Sequence, residues 1–131
     1  MMRGYEILWR LARPLLPLVL ERRARSGKED AGRIAERFGR YDHRTDLPDD
    51  PLWIHAVSVG ETVAGIALAE AIRKTGETAP ILMTTNTVTA AARIAALPAS
   101  LGVTHLYQPL DHPDMVAAFL HRIRPRIGLF L

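Results

Sequence analysis

A carboxylate placed where a strand gives way to a helix can serve as a general base, and the run Trp53-Ile54-His55-Ala56-Val57-Ser58-Val59-Gly60-Glu61 sets one there. Residues 52–57 form a short apolar run suited to a buried strand. Glu61 through Lys74 has the apolar spacing and small residues of a helix packed on a sheet. The turn between them admits two readings. In one, Ser58 and Glu61 form a capping box: the Ser58 hydroxyl accepts the Glu61 backbone N–H and the Glu61 carboxylate accepts that of Ser58. In the other, Gly60 lets the backbone turn and a ligand approach, the helix dipole favours an ionised Glu61, and that carboxylate takes the proton of a hydroxyl brought within hydrogen-bond reach. Local spacing alone speaks for the cap.

Two further turns are expected on the same edge of the sheet. Thr84-Thr85-Asn86-Thr87-Val88-Thr89 ends a strand and opens a helix, and its hydroxyls and backbone N–H groups suit phosphate or sugar oxygens as well as an ordinary N-cap. Gln108-Pro109-Leu110-Asp111-His112-Pro113 follows the next strand, with Asp111 or His112 capping a helix whose first position is Pro113. The histidines at 43, 55, 105, 112 and 121 show no ligand pair at i, i+4, so no metal site is expected. His55 and His105 fall in strands and read as core residues. Walker, Gly-x-Gly-x-x-Gly and Gly-x-Ser-x-Gly motifs are missing, and the lack of cysteine removes thiol chemistry and disulfides.

From Leu52 onward the pattern alternates: strands near 52–57, 80–84 and 103–107, helices near 61–75, 88–97 and 113–122, then the apolar run Ile127 to Leu131. Strands alternating with helices of this length require a parallel sheet with crossover connections, so the fold class is Rossmann-like α/β. Open sheets of this kind bind ligands outside the carboxyl ends of their strands, where all three turns lie. Ile127 to Leu131 reads as a fourth buried strand, and its position at the end of the sequence gives the expectation of a domain truncated there.

The net charge of +3 is unevenly spread: residues 1–40 hold ten Lys or Arg against five acids, and residues 41–131 hold seven against nine. Tyr5 to Leu20 is apolar on one side and flanked by arginines, too short and too interrupted to span a bilayer. It suits a membrane interface, with Trp9 and Tyr5 at headgroup level and arginines facing anionic lipid. A second short helix is expected over 29–38, stopped by Gly39, and 40–51 reads as a polar loop. The organisation expected is thus an interfacial helical segment over 1–43 and an α/β domain over 44–131. Nucleic acid is not an expected partner, because aromatic interleaving and zinc-finger spacing are absent.

Taken in order, Arg37-Phe38-Gly39, Trp53 to Glu61, the Thr-rich turn at 84–89, Gln108 to Asp111 and Arg124-Pro-Arg-Ile-Gly-Leu-Phe-Leu131 resemble the N-terminal domain of the 3-deoxy-D-manno-octulosonic acid (Kdo) transferases. The resemblance implies an inverting, metal-independent glycosyltransferase of the two-domain GT-B type. It would move Kdo from CMP-Kdo to a lipid A precursor at the cytoplasmic face of the bacterial inner membrane, during lipopolysaccharide synthesis. It implies Glu61 as general base, with Ser58, Gly60, Thr85 and Thr87 binding substrate. CMP-Kdo would be held by a C-terminal domain that this chain lacks. The family continues after its fourth strand with a Glu-x-Glu-Leu-Trp-Pro element carrying a second catalytic carboxylate, whereas this sequence stops at Leu131, so the chain alone is expected to be inactive. Ala90 stands where members often have Gly. The alternative is a non-enzymatic, membrane-peripheral α/β module in which Ser58 and Glu61 only cap a helix.

Overall fold

The computed structural model describes residues 2–131, in the order α1 (Met2–Ala12), a 3-10 turn, α2 (Leu16–Arg25), a second 3-10 turn, α3 (Ile34–Arg37), β1 (Leu52–His55), α4 (Val59–Lys74), β2 (Ile81–Thr85), α5 (Val88–Ala95), a third 3-10 turn (Ala99–Leu101), β3 (Val103–Tyr107), α6 (Pro113–Ile123) and β4 (Ile127–Phe130). All four strands are parallel, in the spatial order β3-β2-β1-β4. The fold is the α/β sheet expected from the alternating pattern.

Alternation along each strand divides the core in two. Trp53, Leu82 and Leu106 point to one face and pack with Tyr41, Leu47, Phe119 and Ile123. Ile54, Ile81 and Met83 point to the other and meet Ala69 of α4 and Ile94 of α5. Gly65 is where α4 comes closest to the sheet: a Cβ there would lie 2.7 Å from Met83 Cε and 3.3 Å from Ile54.

Three expectations need correction. The helix expected over 29–38 is a 3-10 turn over Ala31–Arg33 followed by the single turn of α3, because Asp30 caps early through its side chain and Gly39, at φ +72°, ends the run. The segment 40–51 has no regular structure, yet it is not merely a polar loop, since Tyr41 and Leu47 are buried in the sheet's core. β4 forms beside β1 but is not buried. Ile127 is 51% and Phe130 64% exposed, since this strand stands at the sheet edge.

The opposite edge, β3, is closed by charge. Outward-facing backbone groups of an edge strand lack a neighbouring strand to bond. Here the Tyr107 N–H donates to Glu36 Oε1 at 3.0 Å, and the His105 carbonyl accepts from Arg33 and Arg44, each at 3.1 Å. Glu36 is fully buried and also accepts two bonds of 2.7 Å from Arg33, with His43 Nε2 at 3.0 Å and Arg44 at 3.3 Å. Burial alone would raise its pKa. The bonds from Arg33, His43 and the Tyr107 N–H outweigh that and hold it below the ordinary carboxylate range.

His105 makes the fold sensitive to acid. Its Nε2 lies 2.8 Å from Thr85 Oγ1, its Nδ1 is buried without a partner, and burial, reinforced by Arg33, pushes its pKa down to about 3. The unfolded chain takes up this proton near pH 6.5. Stability from the neutral ring is therefore complete above that pH and is lost as pH falls toward 3. Between pH 7 and pH 4.5, urea unfolding should show the wild type losing roughly 2 kcal/mol more than His105→Gln. Equal losses would show that the ring takes up its proton in the folded state as readily as in the unfolded one.

Candidate functional site

The strand order reverses at β1, with β2 on one side and β4, which comes last in the sequence, on the other. Such a reversal opens a crevice outside the carboxyl ends of the strands. The turn leaving β1 at this point is Ala56 to Ser58, and it carries Glu61 on the first turn of α4.

Both bonds of the capping box are formed. Ser58 Oγ accepts the Glu61 N–H at 3.1 Å, and Glu61 Oε2 accepts the N–H groups of Ser58 at 3.2 Å and Val57 at 2.6 Å. The box uses one carboxylate oxygen only; Oε1 takes no bond from the described residues, and the side chain is half-exposed. Capping and proton acceptance are thus compatible in one side chain. One oxygen fixes the rotamer and the other is left without a hydrogen-bond partner and not fully buried.

Ser58 contributes its hydroxyl to the cap and is exposed. Gly60 has no positive φ, and a Cβ there would meet only Ser58 Oγ at 3.9 Å, so the turn does not demand glycine. What its missing side chain leaves is open space at the helix start. Thr87 is the N-cap of α5, with Oγ1 accepting the Ala90 N–H at 3.1 Å. Thr85 is turned inward: it is fully buried against His105 and presents no hydroxyl to a ligand, because its position in β2 points it, with Met83, to the face covered by α4 and α5. His112, not Asp111, caps α6, through Nδ1 and the Asp114 N–H at 3.2 Å.

Behind the turn, His55 Nδ1 lies 2.8 Å from Thr84 Oγ1, which also accepts the Trp53 indole N–H at 2.9 Å. Burial lowers the His55 pKa, which favours the neutral ring beside Glu61. No group of three or more His, Cys, Asp or Glu comes together as a metal site among the described residues.

One residue at this edge, Arg37, is a contributor that the sequence reading does not single out. Arg37 reaches from α3 to the exits of β2 and β3, where Nη1 donates to Asn86 Oδ1 at 3.1 Å and to the Gln108 carbonyl. Its backbone carbonyl accepts the Leu110 N–H at 2.8 Å, so backbone and side chain together hold the loop after β3. The only sequence signal was the Arg37-Phe38-Gly39 motif, since an arginine in a basic helical stretch otherwise reads as solvated. The N-terminal helix also closes on this side. Tyr5 donates to Asp111 at 2.8 Å and Trp9 packs edge-on against His112, so both aromatics contact this edge of the domain, with Tyr5 still 44% exposed. Ile7, Leu8, Leu11, Leu15, Leu18 and Val19 stay exposed. No helix among the described residues is long and apolar enough to cross a membrane.

Residues 32–131 match the family described as 3-Deoxy-D-manno-octulosonic-acid transferase (kdotransferase). Among curated proteins, the chain is 34% identical over its whole length to the 3-deoxy-D-manno-octulosonic acid transferase of Rickettsia bellii (strain RML369-C), of which it covers 31%. It is 38% identical over 97% of its length to the transferase of the same name from Bordetella pertussis, again covering 31%. That of Haemophilus influenzae is 32% identical over 76% of the chain and is covered to 23%. The chain therefore spans about a third, or less, of the length of these relatives. No solved structure gives a significant match. With Arg37, Ser58 and Glu61 all inside the matched residues, the chain belongs to the 3-deoxy-D-manno-octulosonic-acid transferase family.

Proposed function

We propose that this chain is the acceptor-binding part of a glycosyltransferase that moves Kdo from CMP-Kdo to a lipid A precursor in lipopolysaccharide synthesis, with Glu61 as general base. The observation that carries this reading is the unbonded Oε1 of Glu61 at the strand-order reversal, on a side chain held by its other oxygen. As proposed, the acceptor hydroxyl lies within hydrogen-bond reach of Oε1. Glu61 takes its proton as the hydroxyl oxygen attacks the anomeric carbon of Kdo, the bond to CMP breaks on the opposite side, and the configuration inverts. No metal or cofactor takes part. CMP-Kdo is assigned to a donor domain, in the part of the relatives' length that this chain does not span.

The exposed apolar stripe of α1 and α2, with its flanking arginines, supports a peripheral position on the inner membrane's cytoplasmic face, where an acylated, phosphorylated acceptor is embedded. The complete capping box is the one observation favouring a purely structural Glu61 in a binding module. The test is a transfer assay: the complete gene product is incubated with CMP-Kdo and a lipid A precursor in anionic vesicles, and the lipid is analysed by mass spectrometry. A product heavier by Kdo is expected, and no product would overturn the proposal.

A further inference from the structure

Asn86 occupies the exit of β2, next to the turn that carries Glu61. In the parallel register His55 pairs with Thr84, and two residues onward in each chain stand Val57 and Asn86. The Ala56 N–H donates to the Thr84 carbonyl at 3.0 Å, so the two chain segments leave the sheet side by side, at about the 4.8 Å spacing of neighbouring strands. Which way its amide faces is decided by its partner. A guanidinium only donates, so the atom that Arg37 Nη1 approaches at 3.1 Å must be the amide oxygen, and the Nδ2 amino group is turned away from Arg37. That amino group has no partner among the described residues. It is also not among their buried, unpartnered polar atoms, so it reaches solvent from a half-buried side chain.

Arg37 is itself firmly placed. Its side chain is 13% exposed, Nη1 is shared between Asn86 and the Gln108 carbonyl, and its own carbonyl holds Leu110. Arg37 Nε has no hydrogen bond but lies 3.9 Å from the buried Glu29 carboxylate, whereas Gln108 Oε1 is buried without a partner. Such groups are costly, and a native chain retains few of them without a use.

We infer that Asn86 is a specificity-determining residue of the acceptor site, its Nδ2 donating to an oxygen of the acceptor sugar, and that Arg37 is a positioning residue that fixes the amide in this orientation. The assignment rests on the glycosyltransferase reading above. It also replaces the inward-facing Thr85 as the polar contact offered by the Thr-rich turn.

Two variants separate donor from scaffold. Asn86→Asp keeps an oxygen for Arg37 and exchanges the amino group for a second, negatively charged oxygen, whereas Asn86→Ala removes both groups without adding charge. In steady-state transfer with the complete gene product and a lipid A precursor, both should raise KM for the acceptor at least tenfold and change kcat by less than threefold, and Asn86→Asp should melt at the wild-type temperature. Arg37→Lys should raise the same KM in the wild-type background and add little to it in Asn86→Asp, where no donor remains to be oriented. With a dephosphorylated acceptor, loss of the difference between wild type and Asn86→Asp would identify the bound oxygen as a phosphate oxygen, and its persistence would identify a hydroxyl. Wild-type KM in Asn86→Asp overturns the assignment, and does so equally if Asn86→Ala is impaired, because Asn86 then serves only to hold Arg37. Absence of product from the wild type overturns the transferase reading and this assignment together, so the two failures are distinguishable.

Discussion

Glu36→Ala should cost about 3–5 kcal/mol of stability, because it removes the buried anion of the cluster: Arg33 and His43 lose their acidic partner, and Arg44 keeps only the exposed Asp46. Glu36 is fully buried, whereas Arg33 and Arg44 are 24% and 14% exposed. Neither arginine can readily turn to water, and each also donates to the His105 carbonyl. The Tyr107 N–H loses its acceptor as well, and an unpaired buried N–H adds its own penalty of about 1–3 kcal/mol, part of which overlaps the first. For a chain of this size the melting temperature should fall by roughly 10–20 °C. Domains of this class are stable by only about 5–15 kcal/mol, so the variant should lie close to the folding threshold. Glu36→Gln keeps an acceptor for Tyr107 and should fall between the two. Glu70→Ala, on the exposed face of α4, is the control and should change stability by less than about 0.5 kcal/mol. Urea unfolding measures all three, and a Glu36→Ala loss no larger than that of Glu70→Ala would show that the cluster is not needed to close the sheet. The same variant should associate at higher concentration, since the cluster occupies backbone groups of β3 that another strand could pair with.

This cluster also marks where the sequence ceased to be readable. Period-two and helical patterns located β1 to β3 and α4 to α6 within a few residues, because burial on a two-faced sheet forces those patterns on the chain. Glu36 has no such pattern. A glutamate among arginines in a short helical stretch looks like a solvated surface, and only the third dimension brings β3's free edge against it. Tyr41 and Leu47 were hidden for a related reason: an irregular segment has no period, so its buried residues cannot be told from exposed ones. At the candidate site, the capping box could be read from Ser58 and Glu61 because it is local. The inward turn of Thr85 and the Arg37–Asn86 contact could not, since the first depends on strand register and the second joins residues 49 positions apart.

Glu61→Gln should lower kcat about 10²–10⁴-fold while leaving the fold intact, and that combination separates the two roles of this side chain. Glutamine has the same shape and one carbonyl oxygen, which can accept the Val57 and Ser58 N–H bonds that Oε2 now takes. The cap therefore survives, and the unbonded Oε1 becomes an amide nitrogen with no lone pair for the acceptor's proton. Ser58→Ala does the reverse. It removes the hydroxyl that accepts the Glu61 N–H and should cost about 1 kcal/mol of stability, yet it leaves both carboxylate oxygens in place. If Glu61 is the base, the serine variant melts earlier and retains most of its turnover, and the glutamine variant melts normally and loses it. If Glu61 only caps the helix, Glu61→Gln should be close to wild type in both measurements. Normal turnover by a folded Glu61→Gln enzyme would thus reject the base assignment without touching family membership, which rests on the match across residues 32–131 and not on the chemistry of one side chain.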